Sequence, residues 1–215
     1  MRIKAYTGAF VLLAVMLTSC EKNDEMEKLD ADYRVETDYD TETDFGTFKT
    51  YYLPDSILFI GQNEKVQFLD SLLAKPILDA CHRNMQERGY VRSDNKGDAD
   101  LGLQMTYLAS TYHFTGYTAS PYWWWGFSGY WNPFYWGNWG YWYYPYPVHF
   151  SISTGALLTD MLNLKAEQGK DKRLPVVWQS YLTGLLHKSN ALNVTLAARG
   201  IEQAFKQSEY ITTNQ

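Results

Sequence analysis

Histidine and cysteine are the side chains most able to bind a metal ion, and this sequence spaces them apart. The histidines occur singly at His82, His113, His149 and His187. No pair matches HxH or HExxH, and no two cysteines lie close together in the sequence. His113 and His149 bracket an aromatic segment and could face each other at its base. The spacing still predicts no metal site and no bound cofactor.

A run of acidic side chains near the start of the chain invites a calcium interpretation: Asp38, Asp40, Glu42 and Asp44. A calcium loop of the EF-hand type needs Gly at its sixth position and Glu at its twelfth. Counted from Asp38, those positions hold Thr43 and Lys49. The calcium motif is therefore absent, and we expect Asp44 and its neighbours to cap a turn.

Residues that could act in hydrolysis are present but poorly placed. The segment GFSG at 126–129 lacks the GxSxG spacing of a nucleophile elbow. The carboxylates of Asp98, Asp100 and Asp160 could meet as an acid–base pair, although turn and strand-end roles suit them better. Cys81 falls on the inner side of a predicted helix, where a buried thiol is expected. We predict that the protein is not an enzyme, with a hydrolase as the weakest alternative.

Cys20 is the cysteine with the most specific chemical context. It closes the motif Leu17-Thr18-Ser19-Cys20, which matches a bacterial lipobox. Two basic residues and a short apolar run at 9–16 precede it, as in a signal peptide. We expect residues 1–19 to be removed and the Cys20 thiol to be acylated. Acyl chains would hold the protein at a membrane, since each buried methylene contributes about 0.8 kcal/mol.

Charge and cysteine content narrow the class of protein further. The 215-residue chain holds 19 basic and 24 acidic residues, so it lacks the basic excess that a nucleic-acid partner requires. Acylation of Cys20 would leave Cys81 without a disulfide partner, and the fold must then rest on a packed core. We expect residues 20–35 to form the lipidated cysteine and a flexible tether. Residues 36–215 would form a single domain.

The charged residues that follow Cys20 bear on where the protein is placed. Residues 21–25, EKNDE, resemble the short signal that sends lipoproteins to the cell surface in one Gram-negative lineage. The alternative interpretation is a solvated spacer. We predict a lipid-anchored protein of the outer membrane, with a surface-exposed and a periplasmic orientation both open.

Residues 121–147 form an uncharged segment rich in aromatic residues. It contains seven Trp, seven Tyr, four Gly and four Pro. A membrane span is excluded, because so many Gly and Pro would leave backbone groups unpaired in hydrocarbon. Trp and Tyr instead favour membrane interfaces, protein partners and sugar rings, and the remaining alternative is a loop that packs onto its own sheet. The candidate contact residues are Trp123, Trp124, Trp125, Trp131, Trp136, Trp139, Trp142 and Tyr143.

Hydrophobic periodicity predicts the elements that would position these residues. Apolar stripes at helical spacing predict a helix from Pro76 to Gly89. The stripe at 66–73 before it is either a separate helical turn or part of the same helix bent at Pro76. They predict a second helix capped by Asn193. Alternating apolar residues predict strands at 47–53, 100–109, 148–164 and 175–186.

These elements predict an α+β fold. We expect a mixed or antiparallel sheet of about four strands, with two helices on one face to bury the apolar stripes. The aromatic segment 121–147 would form a long Gly- and Pro-rich loop between two strands.

Six blocks follow one another along the chain: DYDTETDFGTFKTYYL at 38–53, ERGY at 87–90, DADLGLQMTY at 98–107, ISTGALLTDMLN at 152–163, LPVVWQSYL at 174–182 and AARGIEQAF at 197–205. Together they resemble the lipoproteins called domain of unknown function 4136, in the order found in that family. Two departures are visible. Gln179-Ser180 stands where the family has a Gly after its Trp, and Leu157-Leu158 stands where it has a small polar residue.

The resemblance implies an exported α+β lipoprotein domain and brings no established activity or catalytic residues. We therefore predict a membrane-anchored lipoprotein with a structural or binding role. It would contact the membrane through the lipid on Cys20, and an envelope protein or a glycan through residues 121–147. The alternative is a glycan-binding surface module that uses the exposed Trp and Tyr of that segment.

Overall fold

Three long antiparallel strands form the middle of the sheet, and their apolar composition explains why. The computed structural model describes residues 33–61, 67–109, 136, 142–146, 155–167, 173–186 and 188–214. In it the three strands are Leu101–Leu108, Ala156–Asn163 and Leu174–Thr183, and nearly all of their side chains are buried. Strands that are buried on both faces carry apolar residues on both sides, and these sequences are mostly apolar with a few buried polar residues among them.

The described residues contain nine strands and two α-helices. Two short 3-10 turns, Phe45–Thr47 and Lys96–Asp98, lie before the second and sixth strands. In chain order the elements are β1 (Arg34–Tyr39), β2 (Thr50–Tyr52), β3 (Leu58–Ile60), β4 (Gln67–Phe68), α1 (Ser71–Glu87), β5 (Val91–Arg92), β6 (Leu101–Leu108), β7 (Trp142–Tyr143), β8 (Ala156–Asn163), β9 (Leu174–Thr183) and α2 (Asn190–Gln207).

The sheet is mixed, with the main order β1-β9-β8-β6-β2-β5. Strands β1, β9, β8 and β6 are successively antiparallel, whereas β2 is parallel to both β6 and β5. Strand β3 pairs with the far half of β6 and with β4, and β7 pairs with β9. The prediction of a four-stranded sheet is therefore wrong, because eight described strands join one mixed sheet and β7 adds a separate pairing.

The strands that the sequence analysis missed are short or polar. Strands β3, β4, β5 and β7 have two or three residues each, too few for an alternation to be recognised. Strand β1 carries mostly polar residues and begins at Arg34, where linker was expected. It forms because β9 offers an unpaired edge over six residue positions.

Both helices pack against one face of the sheet, the helix face. Trp178 on β9 is fully buried there, with its ring 5.2 Å from that of Phe205 and its indole Nε1 donating to Ser208 Oγ at 2.9 Å. Helix α2 approaches β9 closely at Gly200, where a Cβ atom would lie 2.4 Å from Leu182 Cδ2. The core between sheet and helices also contains Leu103, Met105, Leu157, Met161, Ile77, Ala80, Met85, Leu196 and Ile201.

The helix boundaries differ from those expected at both N-termini. Helix α1 begins a full turn before Pro76, because the Asp70 carboxylate accepts a hydrogen bond from the Leu72 N–H at 2.9 Å. Helix α2 is capped by Ser189 rather than by Asn193. The predicted stop of α1 at Gly89 is confirmed, since Gly89 follows the helix with a φ of 89°.

The opposite face of the sheet, the distal face, is also buried. Its apolar side chains form a second cluster that includes Trp136 from the aromatic segment. This second cluster explains why most alternate positions of the long strands are apolar rather than polar. The other members are Leu58, Ile60, Ala99, Leu108, Ala156, Leu158, Leu162, Leu164, Leu174, Val176 and Tyr181.

The remaining predicted strands correspond to observed ones with shifted ends. Strand β6 matches the prediction at 100–109, and β9 matches that at 175–186 but ends at Thr183. Strand β8 corresponds to the second half of the strand predicted at 148–164, and residues 148–154 lie outside the described residues. The predicted strand at 47–53 is reduced to β2. Residues 1–32, which contain the predicted signal peptide and Cys20, lie outside the described residues, as does most of 121–147. In the described ranges, neither helix combines the length and hydropathy that crossing a bilayer requires.

Candidate functional site

The distal face carries a strip of polar side chains in the middle of its apolar surface. Gln104 on β6 lies opposite Asp160 on β8, and Asp160 lies opposite Gln179 on β9. Asp38 on the edge strand β1 continues the strip opposite Gln179. The first three side chains are each at most 1% exposed. We call these four residues the polar row, since paired positions on neighbouring strands place their side chains next to each other.

Two side chains of the aromatic segment are hydrogen-bonded to the polar row. The Trp136 indole Nε1 donates to Gln104 Oε1 at 2.6 Å, and the Tyr144 hydroxyl donates to Asp160 Oδ1 at 2.6 Å. Buried amide and carboxylate oxygens require such partners. Gly102 makes room for the indole, because a Cβ atom there would lie 2.6 Å from Trp136 Cη2. The aromatic segment is thus held on the distal face at two points.

Two further polar atoms beside these contacts are buried without a hydrogen bond. They are the Tyr146 hydroxyl and Gln179 Oε1, which have no partner among the described residues. Burial raises the pKa of Tyr146, and the negative charges of Asp160 and Asp38 raise it further, so its hydroxyl stays protonated. Both atoms could hydrogen-bond to a water molecule or to a polar group of a ligand.

Among the described aromatic side chains of the segment, Tyr143 on β7 is the exposed one. Its side chain is 37% exposed, and the Arg173 guanidinium carbon lies 5.6 Å from the centroid of its ring. Trp142 precedes it in the same strand, whereas the candidate contact residue Trp136 is buried. The other candidates lie outside the described residues: Cys20, Trp123, Trp124, Trp125, Trp131 and Trp139.

The carboxylates that could have formed an acid–base pair are not brought together. Asp98 accepts from the Asn95 side chain at 2.9 Å, and Asp100 Oδ2 accepts two backbone N–H groups from residues 49 and 50. Asp160 pairs with Gln104, which lies four residues beyond Asp100 on the same strand, or about 13 Å along it. Asp98 and Asp100 therefore have the turn and strand-end roles that the sequence favours.

Other candidate residues also have structural roles. Cys81 is completely buried, which raises the pKa of its thiol to about 12 and confirms the expected buried cysteine. Asp44 Oδ1 accepts from the Gly46 N–H at 3.0 Å, which confirms its role as a turn cap. In the described part of the chain, no three His, Cys, Asp or Glu side chains lie together as metal ligands would. His113, His149 and His187 lie outside that part.

The polar row itself was not predicted from the sequence. In an alternating strand, Gln104 and Gln179 occupy the positions assigned to solvent, and a polar residue there attracts no attention. A signal was present nonetheless, because Gly102 and Leu108 on the same side of β6 are not polar. A strand with one apolar face and one mixed face indicates that both faces are covered.

These features define a class of protein, an α+β domain with two helices on one face of a mixed sheet and aromatic residues bound to the other. The family model for "Domain of unknown function (DUF4136)" matches residues 35–208. The chain belongs to this family, and the resemblance read from its sequence blocks is confirmed at that level. No curated protein matches the chain.

Two solved structures are similar to parts of this chain. One is the crystal structure of a DUF4136 family protein from Bacteroides thetaiotaomicron VPI-5482 at 1.60 Å resolution, which is 51% identical with a TM-score of 0.77. The similarity covers 86% of this chain and all of that one. The other is a PelC variant dodecamer from Paraburkholderia phytofirmans, with 9% identity over 85% of this chain and 99% of that one and a TM-score of 0.35. The second similarity is too low to support any conclusion.

Proposed function

We propose that this chain is a lipid-anchored protein of the outer membrane whose domain has a binding or structural role and no catalytic one. The observation that carries the binding role is the attachment of the aromatic segment to the distal face. Trp136 and Tyr144 are held there by hydrogen bonds, while the neighbouring Tyr143 remains 37% exposed. Aromatic side chains presented from a rigid base are the usual anchors of contact surfaces.

The proposed anchor is the lipid on Cys20, which supplies the membrane contact without a membrane-spanning helix. The lipobox at residues 17–20 supports this assignment. The aromatic segment would then be free to contact an envelope protein or a glycan, since acyl chains alone suffice for stable attachment.

Replacing the lipid acceptor tests the anchor. In cells that express Cys20→Ala, we expect the protein to move from the membrane pellet to the soluble fraction and to lose incorporation of radiolabelled palmitate. The matched control is Cys81→Ala, which removes the buried cysteine and should leave the protein in the membrane. If Cys20→Ala stays in the pellet, the anchor assignment is wrong and residues 121–147 themselves become the candidate lipid contact.

A glycan is the second candidate ligand for the same surface, and the exposed ring of Tyr143 favours it. Phenol and indole rings stack on the apolar faces of sugars, and a neighbouring cation such as Arg173 can hydrogen-bond to hydroxyl groups. Tyr143 and Arg173 together offer both stacking and hydrogen bonding.

Calorimetric titration with a panel of soluble polysaccharides tests the glycan candidate. If one binds, Tyr143→Ala should weaken its affinity about fivefold to tenfold, because an aromatic contact contributes about 1–1.5 kcal/mol. The matched control is Tyr39→Ala, since Tyr39 is 36% exposed but stacks on Tyr210 at the helix face. Equal losses in the two variants would contradict a role for Tyr143, and no binding across the panel would exclude the glycan.

A further inference from the structure

A polar cavity of about 310 Å³ lies between α1 and the chain that leaves β2. Its apolar lining residues are Leu53, Pro54 and Leu78. Its charged and polar lining residues are Asp55, Ser71, Lys75, Asp79, His82 and Arg92. This volume is at the lower end of the range for ligand sites, so the cavity could hold only a small molecule.

Helix α1 contributes one stripe of side chains to the cavity. Ser71, Lys75, Leu78 and His82 follow at intervals of four, three and four residues, which places them on one face of the helix. The stripe belongs to the exposed edge of α1, whereas Ala74, Ile77, Ala80 and Cys81 face the core. The stripe therefore lines the cavity with side chains outside the buried face of α1, although Leu78 also packs against the core.

Arg92 retains hydrogen-bonding capacity after its contacts in the fold are counted. Its Nη2 donates to the Leu53 carbonyl at 3.0 Å and to the carboxylate of Asp55. Its Nε and Nη1 have no acceptor among the described residues. Asp55 is 90% exposed, so its ion pair with Arg92 contributes little and can rearrange. A guanidinium group with free N–H donors is suited to bidentate binding of a planar or tetrahedral anion.

His82 supplies a second donor. Its Nδ1 is hydrogen-bonded to the hydroxyl of Tyr51, a buried side chain. Burial raises the pKa of Tyr51, so the phenol keeps its proton and can donate it to Nδ1. Partial burial and the nearby charge of Arg92 lower the pKa of His82, so the ring is neutral near pH 7. The remaining proton is then on Nε2, which has no acceptor in the described part of the chain.

Lys75 completes the basic side of the cavity. Its Nζ lies 2.7 Å from Asp79 Oδ2, one helical turn along α1. Both side chains are more than half exposed, and a pair of this kind contributes only a few tenths of a kcal/mol. An anion in the cavity could therefore attract the ammonium group at little cost to the fold.

We propose that this cavity binds a small organic anion through Arg92, His82 and Lys75, with its apolar part against Leu53, Pro54 and Leu78. The ligand carries a carboxylate or a phosphate group, since these are the anions that Arg binds in a bidentate manner. The acidic residues Asp55 and Asp79 already neutralise Arg92 and Lys75, and they select against large polyanions. This site is separate from the distal face and does not depend on the function proposed for it.

Nuclear magnetic resonance of the full-length chain in detergent tests the proposal, with inorganic phosphate and acetate as separate probes. We expect a saturable shift of the His82 imidazole signal, which is identified by its loss in His82→Gln. Arg92→Gln should weaken the affinity at least tenfold. The matched control is Arg83→Gln on α1, the helix that carries His82. Arg83 pairs with Glu202 outside the cavity, so this variant should change the affinity less than twofold.

The two probes also distinguish the anion. A response to phosphate alone identifies a phosphate-bearing ligand, a response to acetate alone identifies a carboxylate, and a response to both identifies a general anion site. If Arg92→Gln does not fold, Arg92→Lys is the second variant. Lysine keeps the positive charge but lacks the planar guanidinium that binds an anion through two N–H groups, so it should still weaken binding. The proposal is overturned if neither anion moves the His82 signal, or if the Arg92 and Arg83 variants weaken binding equally.

Discussion

Asp100 joins two strands mainly through backbone atoms, although its Oδ1 also lies 3.7 Å from the Lys165 ammonium group. Its Oδ2 accepts hydrogen bonds from the Lys49 and Thr50 N–H groups at 2.7 and 3.0 Å, at the point where β2 meets β6. Partial burial alone would raise the pKa of Asp100, but these hydrogen bonds outweigh it and lower the pKa below its usual value. The ionised carboxylate is therefore the form that stabilises the fold.

Asp100→Asn should destabilise the protein at pH 7 by about 1–3 kcal/mol, because two charge-assisted hydrogen bonds become neutral ones. A lowered folded-state pKa gives stability that is present above the unfolded pKa of about 3.9 and is lost as the pH falls through the folded value. The difference between variant and wild type should thus shrink below pH 4, as measured by urea unfolding. Asp98→Asn is the control and should have little effect, since Asp98 accepts only from Asn95. A pH-independent difference would contradict this account.

At the scale of an element, α2 is held against the sheet at Gly200. Helix propensity alone predicts that Gly200→Ala stabilises the helix by about 1 kcal/mol. The added methyl would, however, lie 2.4 Å from Cδ2 and 3.1 Å from Cγ of Leu182, which is itself buried. Overpacking of this kind costs about 1–3 kcal/mol, so we expect net destabilisation.

Gly97→Ala provides the control for this prediction. A Cβ atom at Gly97 would approach no closer than 3.4 Å, and the residue lies in an exposed turn. Urea unfolding should therefore show a smaller change for Gly97→Ala than for Gly200→Ala. Stabilisation by Gly200→Ala would show that α2 can move away from β9.

The elements differ in how far their sequences could predict them. Strands β6 and β9 and helix α1 repeat an apolar pattern over eight residues or more, and their existence was predicted. The start of α1 and the cap of α2 were misplaced, because several polar residues before each helix could accept the first hydrogen bond. Strand β4 has only two residues. Its sequence therefore shows no alternation, and the strand exists only through its pairing with β3.

The site was less predictable than the elements. The polar row becomes visible only when β6, β8 and β9 are placed in register, since each strand contributes one polar residue. Its aromatic partners Trp136 and Tyr144 are distant in sequence from Gln104 and adjacent to many similar residues. Composition identified the aromatic segment but not the two side chains that bind the sheet.

At the scale of the whole molecule, the proposed lipid anchor in the outer membrane allows two orientations of the domain, facing the cell surface or the periplasm. If residues 21–25 direct surface display, trypsin added to intact cells should release the folded domain into the medium by cutting at Lys22 and Lys28. A variant with Lys22→Gln and Lys28→Gln should resist release, and permeabilised cells provide the positive control. Release only after permeabilisation would place the domain in the periplasm.

Strand β1 is the first described element after the proposed anchor, and it lies at the edge of the sheet. With a lipid on Cys20, any mechanical tension between the membrane and a bound partner would enter the domain through this strand. Tyr33 lies directly before it and donates its hydroxyl proton to the Leu196 carbonyl of α2 at 3.0 Å. The force would act first on this hydrogen bond and then on the six residue pairs that join β1 to β9. Helix α2 and strand β9 would therefore both resist a pulling force at the point where the anchor joins the domain.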